Sequence, residues 1–157
     1  MKILIVSDSH GDTAALRSAI TRENPDRVFH LGDVNRDAQR MIAAFPKLPI
    51  DAVLGNCDAF SGGDGPDELQ VTAGGVNFFL THGHRHRVKL GTGLLLREGL
   101  SAGADVICFG HTHRAVCRQQ DGVWLVNPGT VGGVGAAATY AVAEAENGSV
   151  SVELREL

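Results

Sequence analysis

Six times along this chain an apolar run of strand length stops abruptly in a cluster of polar, ligand-type residues. That repeat limits the fold more than any other feature. The first run is the clearest: Lys2-Ile3-Leu4-Ile5-Val6, followed by Ser7-Asp8-Ser9-His10-Gly11. Ile3 to Val6 are all apolar and mostly β-branched, which predicts a strand buried on both faces. In open α/β sheets ligands bind at the carboxyl ends of the strands, and Asp8 and His10 stand at this one. A carboxylate next to an imidazole suits a divalent ion of intermediate hardness. A lone Asp-Ser-His is no more than a turn with a surface histidine, so the weight comes from what repeats downstream.

Asp12 or Thr13 can cap a helix whose apolar positions are Ala14, Leu16, Ala19 and Ile20, and Asn24-Pro25 ends it. Arg27 to Leu31 is the second strand, closed by Gly32-Asp33; Asn35 to Phe45 is a second helix, stopped by Pro46. The third strand, Ile50 to Leu54, is closed by Gly55-Asn56-Cys57-Asp58, and 59–67 read as a loop. Glu68 to Thr72 and Val76 to Leu80 are strands joined at Gly74-Gly75, and the second ends in Thr81-His82-Gly83-His84. A small basic patch, Arg85 to Lys89, precedes a helix over Thr92 to Ala102. The strand Asp105 to Phe109 ends in Gly110-His111-Thr112-His113. Hairpins over 115–126 and about Asn147-Gly148 follow, separated by Asn127-Pro128-Gly129-Thr130 and a Gly/Ala-rich stretch at 131–138. Strands and helices alternate in the first half and strands dominate the second, so the hairpins are expected to build a second sheet.

With 157 residues, 43% of them hydrophobic, the expectation is one domain over 1–157 with a real core. The formal net charge of −4 offers no broad basic footprint for nucleic acid. No apolar run approaches the ~20 residues that span a bilayer. The chain starts directly in a core strand, so no signal peptide is expected, and its cysteines are an odd three, Cys57, Cys108 and Cys117. A reduced, cytoplasmic protein with no membrane partner is the expectation. Six of the seven histidines fall in three short stretches, which is the compositional feature that bears on function.

The strand-end groups are Asp8, His10, Asp33, Asn56, His82, His111 and His113. Two carboxylates, four imidazoles and one amide exceed what one divalent ion can use, but two ions can share them if a carboxylate bridges. Two-metal sites hold their ions ~3.5–4 Å apart and clamp the attacking and leaving oxygens of an in-line displacement. Two divalent ions offset by two carboxylates and a hydroxide leave a positive centre, which attracts a phosphate ester.

Taken together, Asp8-Ser-His10, Gly32-Asp33, Gly55-Asn56-Cys57-Asp58, Thr81-His82-Gly83-His84, Gly110-His111-Thr112-His113 and Asn127-Pro128-Gly129 resemble the calcineurin-like metallophosphoesterase superfamily. The Gly-Asn-Cys-Asp form and the small size are similar to its compact bacterial and archaeal phosphodiesterase branch. The resemblance implies an α/β fold, a four-layer αββα sandwich of two mixed sheets flanked by helices. It implies two divalent metal ions, manganese first, with iron, nickel or zinc as alternatives. Carried over residue by residue, Asp8, His10 and His113 would bind the first metal, Asn56, His82 and His111 the second, and Asp33 would bridge. A hydroxide between the metals would then attack phosphorus in line, its pKa lowered by the ions.

The superfamily's wider pattern places a histidine where this chain has Cys57, and uses it to protonate the leaving group. A thiol of ordinary pKa ~8.5 is a weak substitute. Cys57, Asp58 and His84 are the candidates for catalytic roles besides the ligands. Asp58 either orients its neighbours or caps a turn, and His84 contacts substrate or supports a ligand. His30, inside a strand, reads as a packed or hydrogen-bonded core histidine, and Arg85, His86 and Arg87 as solvated surface. Cys108 and Cys117 read as small hydrophobes, and Asn127-Pro128-Gly129 as a loop beneath the metals. The expected activity is hydrolysis of small phosphodiesters. A phosphomonoesterase and a catalytically silent scaffold are the alternatives, because a retromer subunit shares this fold with a degraded site. A nuclease is disfavoured by size and acidic charge. Small phosphoesters are the expected partners, with a homo-oligomer, dimer or tetramer, also expected.

Overall fold

A computed structural model describes residues 1–61 and 63–157. In chain order the elements are β1 (Lys2–Val6), α1 (Thr13–Glu23), β2 (Arg27–His30), α2 (Asn35–Ala44), β3 (Ile50–Ala52), α3 (Asp58–Ser61), β4 (Glu68–Ala73), β5 (Val76–Thr81), α4 (Gly93–Ser101), β6 (Val106–Cys108), β7 (Val116–Gln120), β8 (Val123–Asn127), β9 (Thr139–Glu146) and β10 (Ser149–Glu156). Two five-stranded mixed sheets result, ordered β10-β9-β1-β2-β3 and β4-β5-β6-β8-β7.

Side-chain alternation along the strands generates the layers. In β1, Ile3 and Ile5 point into the core between the sheets, where they meet Phe78, Leu80, Val106 and Cys108. Leu4 and Val6 point the other way, under Leu16, Ala19 and Ile20 of α1 and Met41 of α2. In the second sheet Phe79 and Ile107 face outward and are covered by Leu95 and Leu96 of α4. Three apolar seams therefore separate four layers, αββα, as the family resemblance implied. All four residues Ile3 to Val6 are fully buried, which is why the run carries no polar position. Among the described residues no helix is long and apolar enough to cross a membrane.

Three expectations are corrected. The final hairpin, β9–β10, joins the first sheet and not the second, with β9 antiparallel to β1. The physical reason lies in its two faces. Ala141, Ala143 and Ala145 fit the crowded seam between the sheets, while Tyr140 and Val142 cover α1. The stretch 59–67 is not wholly a loop, because Asp58–Ser61 forms a single helical turn; Gly62 of that stretch lies outside the described residues. The third strand is also shorter than expected, since Leu54 leaves the sheet to donate its N–H to the Pro66 carbonyl at 2.8 Å.

β1, β2 and β3 run parallel in one sheet, and β5, β6 and β8 run parallel in the other. Each set presents its carboxyl ends along one edge, where the following loops meet.

Candidate metal centre

The loops after β1, β2, β3, β5 and β6 carry all seven strand-end groups, and the structure brings them together. His10 Nε2 lies 3.2 Å from His113 Nε2, and His113 Nε2 lies 3.1 Å from Asp8 Oδ1. On the other side His82 Nε2 is 3.1 Å from Asn56 Oδ1 and 3.4 Å from Asp33 Oδ1. Asp33 stands between the two groups, its Oδ2 being 3.8 Å from His10 Nε2. The His111 ring is 5.1 Å from the His82 ring, and its backbone N–H donates to Asp8 Oδ2 at 3.1 Å.

Two glycines permit this closeness. A Cβ on Gly110 would collide with Ser7 and Asp8, and one on Gly55 would collide with Asp33. Asp8, His10, Asp33, His111 and His113 all have positive φ, between 45° and 68°. Non-glycine residues adopt that left-handed region at a cost and cluster there at functional sites. Sequence reasoning did not anticipate this feature.

Hydrogen-bond partners fix which nitrogen faces inward. His82 Nδ1 donates to the Leu31 carbonyl at 2.7 Å, and His113 Nδ1 donates to the Val134 carbonyl at 2.8 Å. In the neutral rings both Nε2 lone pairs then point at the centre. There they face other acceptors: Asn56 Oδ1, the Asp33 carboxylate, and Asp8 Oδ1. That last atom is buried and accepts no hydrogen bond. In the neutral rings these converging lone pairs and carboxylates have no donor between them, and positive charge at the centre, as a proton on an imidazole or as a bound metal ion, satisfies them. A histidine whose outer N–H is held by a backbone carbonyl is the arrangement that orients a metal ligand. The residues present therefore fit divalent metal ions, and Asp8, His10 and His113, as well as Asp8, Asp33 and His82, form groups whose ligand atoms lie within 4.8 Å of one another.

The titration behaviour agrees. Burial alone would depress His82, but the Asp33 carboxylate bonded to it and the nearby Asp8 outweigh burial and raise it. Burial acts upward on Asp33, but His82 and the Cys57 N–H hold its carboxyl far below the usual range. The centre thus draws positive charge. His111 is pushed down to about 4 by burial and by the positive charge of His82 and Lys89. His84 is lowered by burial, His82 and Arg85; its ring stands 5.5 Å from that of His82 and 6.2 Å from that of His111.

Cys57 lies beside the bridge position. Its N–H donates to Asp33 Oδ1 at 2.9 Å and its thiol to Asp33 Oδ2 at 3.3 Å. Burial and the Asp33 carboxylate push the thiol up to about 11. Asp58 is 1% exposed, and its two oxygens accept the backbone N–H groups of Asn35 and Gly55 at 2.6 and 2.8 Å. Its carboxylate thereby ties the start of α2, just after Asp33, to the loop that carries Asn56. Asn127 binds the Gly110 carbonyl and the Thr112 hydroxyl beneath the His111–His113 loop.

The expectation of a solvated surface fails for His86. It is 4% exposed, between Glu68 at 3.3 Å and Glu98 at 3.0 Å, because its loop folds back onto Phe79 of β5. Arg85 and Arg87 do face solvent.

A family model for the calcineurin-like phosphoesterase superfamily domain matches residues 1–148. The chain is 36% identical over 157 residues to the probable metallophosphoesterase YsnB of Bacillus subtilis, covering 97% of this chain and 89% of YsnB. It is 29% identical over 150 residues to phosphodiesterase MJ0936 of Methanocaldococcus jannaschii, covering 82% of this chain and 83% of that protein. A conserved protein of Streptococcus pneumoniae, described as a predicted phosphoesterase, shares the fold with a TM-score of 0.83 at 24% identity, over 99% of this chain and 88% of its own. The spacing of the six motifs, the convergence of their side chains and the match over residues 1–148 agree, and the chain belongs to the calcineurin-like phosphoesterase superfamily.

Proposed function

We propose that the chain is a phosphodiesterase that hydrolyses small phosphodiesters by in-line attack of water at a centre for two divalent ions, manganese first. The observation that carries this reading is the pair of inward-facing lone-pair groups on either side of Asp33. Asp8, His10 and His113 would hold one ion and Asn56, His82 and His111 the other. Asp33 turns Oδ1 toward His82 at 3.4 Å and Oδ2 toward His10 at 3.8 Å, as a shared ligand should. Two bound ions supply Lewis acidity toward the phosphoryl oxygens and lower the pKa of water.

The chain's own residues do the rest. The Leu31 and Val134 carbonyls keep His82 and His113 in the tautomer that aims Nε2 inward. The Ser7 hydroxyl and the His111 N–H hold Asp8 Oδ2, which turns Oδ1 to the centre. Cys57 keeps its proton at neutral pH and directs it to Asp33, so it serves as a hydrogen bond on the bridge position and not as the acid for the leaving group. His84, at the rim, is the better placed group to contact substrate. Preference for a diester is supported by the likeness to phosphodiesterase MJ0936 and by the missing imidazole at position 57, which an alkyl monoester would need most.

The test is turnover of bis(p-nitrophenyl) phosphate and p-nitrophenyl phosphate by chelator-stripped protein with manganese, iron, nickel or zinc added back. Diester hydrolysis that requires metal and exceeds monoester hydrolysis is expected. Faster monoester hydrolysis would make the chain a phosphomonoesterase, and no turnover with any metal would leave a silent scaffold.

A further inference from the structure

The turn that carries Asp8 and His10 is conformationally expensive. Asp8 and His10 have φ of 53° and 45°, and Gly11 follows at 93°. Left-handed non-glycine residues are strained and persist only where surrounding contacts over-determine them. Two of those contacts, at Ser9 and Gly11, are made by one residue that belongs to none of the six motifs, Asp37.

Asp37 lies in the first turn of α2 and is fully buried. Its Oδ2 accepts the Gly11 N–H at 2.7 Å and the Ser9 hydroxyl at 2.8 Å. The direction of every proton in this network can be assigned. His30 Nδ1 accepts the Gly32 N–H at 3.3 Å, so the neutral ring carries its proton on Nε2. That proton faces Ser9 Oγ at 3.3 Å. Ser9 Oγ accepts it and donates its own hydroxyl hydrogen to Asp37 Oδ2 at 2.8 Å, the Asp33 carbonyl at 3.4 Å being the more distant acceptor. The carboxylate terminates the chain, near the positive end of α2. Its other oxygen, Oδ1, has no hydrogen-bond partner; Arg40 stands 3.6 Å away.

We propose that Asp37 is a positioning residue for the first half of the metal centre: through Ser9 and Gly11 it locks the turn that aims Asp8 and His10 at one point. The sequence distance makes the effect specific. Asp37 follows Asp33 by four residues, so the same helix start fixes the loop of the shared carboxylate and clamps the loop of the other. It touches neither metal nor substrate. This inference rests on the metal-centre reading above.

Asparagine separates hydrogen bonding from charge at this site. Both bonds fall on one oxygen, so an amide can place its own oxygen there and its NH2 where Oδ1 makes no hydrogen bond, giving up only the 3.6 Å ion pair with the exposed Arg40. Asp37→Asn should therefore keep the turn, whereas Asp37→Ala should release it. The measurement is manganese affinity of the full chain, read as free manganese by electron paramagnetic resonance, with far-ultraviolet circular dichroism to check folding. Removing such an outer partner typically weakens metal binding roughly 10–100-fold. Asp37→Ala is expected in that range at one of the two half-sites, Ser9→Ala is expected to lose less, and Asp37→Asn should recover to within a few-fold of wild type. If Asp37→Ala does not fold, Ser9→Ala against Asp37→Asn decides the matter, because only the hydroxyl variant should then lose affinity. Wild-type affinity in both Asp37→Ala and Ser9→Ala would overturn the proposal, and so would an Asp37→Asn loss as large as that of alanine. Failure of the wild type itself to bind manganese would instead remove the metal-centre reading.

Discussion

Replacing Asp58 by asparagine should cost more stability than such an isosteric change usually does. The Asp58 side chain is 1% exposed, and each oxygen takes a backbone N–H, Asn35 at 2.6 Å and Gly55 at 2.8 Å. An amide offers one oxygen to these two donors and must turn its NH2 toward the other. One hydrogen bond to a charged group is lost, about 1.5–3 kcal/mol, and one buried N–H is left facing a donor, about 1–3 kcal/mol. The two losses fall on the same few atoms, so about 3–5 kcal/mol is expected. That is a large part of the ~5–15 kcal/mol typical of a domain. Urea unfolding with linear extrapolation measures it. The two donors belong to the loops of Asp33 and Asn56, so the weakened state should also bind manganese less tightly. A stability within ~1 kcal/mol of wild type would show that the loops can relax to satisfy both donors, and the account of Asp58 as the clasp between them would fail.

Asp33→Asn should weaken both halves of the centre together, so manganese content by elemental analysis should fall from near two ions per chain to well below one; loss of a single ion would mean that Asp33 is not shared. Cys57→Ala should leave metal content intact and cost less than tenfold in diester hydrolysis, under ~1.4 kcal/mol of transition-state stabilisation, whereas a larger loss with a leaving-group dependence that steepens would identify the thiol as the acid. Glu23 gives the acid limb of stability. Burial acts upward on it, but Lys2, Tyr140 and Arg155 bring its pKa down from 4.5 to about 2. A carboxyl depressed in the folded state stabilises above the unfolded value and loses that contribution as pH falls from about 4.5 toward 2. At pH 7 the contribution is at most about 3 kcal/mol, reduced by the solvent that reaches Arg155. Glu23→Gln should be less stable at pH 7 and lose less on acidification; parallel unfolding curves from pH 7 to pH 2 for both proteins would contradict this.

The seven ligand candidates were legible because each one interrupts an apolar strand, and a strand's carboxyl end is where an α/β fold exposes polar groups. The four layers were legible through the family resemblance and through the apolar runs. The placement of β9 was not legible in the same way. Its alternation of Ala141, Ala143 and Ala145 with Tyr140 and Val142 shows two different faces, but the sheet it joins depends on the volume left between β1 and the second sheet. Only the packed structure supplies that volume. His86 escaped because a basic run reads as surface, and the burial of one of its members depends on a loop folding back over Phe79.

Asp37 escaped for a different reason. Its partners are a backbone N–H and a serine hydroxyl, and neither leaves a mark in the spacing of side chains. The same holds for the left-handed backbone at Asp8, His10, Asp33, His111 and His113. Each of these residues would relax to a commoner conformation if its loop were free, and Asp and His tolerate the left-handed region better than most residues. Holding five of them there at once requires contacts that act on the backbone: Asp37 on Gly11, Asp58 on Asn35 and Gly55, Thr130 on the Asp8 carbonyl, and Asn127 on Gly110. These contacts come from α2, α3, β8 and the loop that follows β8. The inward aim of the ligands is therefore a property of the assembled fold, and a variant that weakens one of these four contacts should lose metal affinity before it loses the fold.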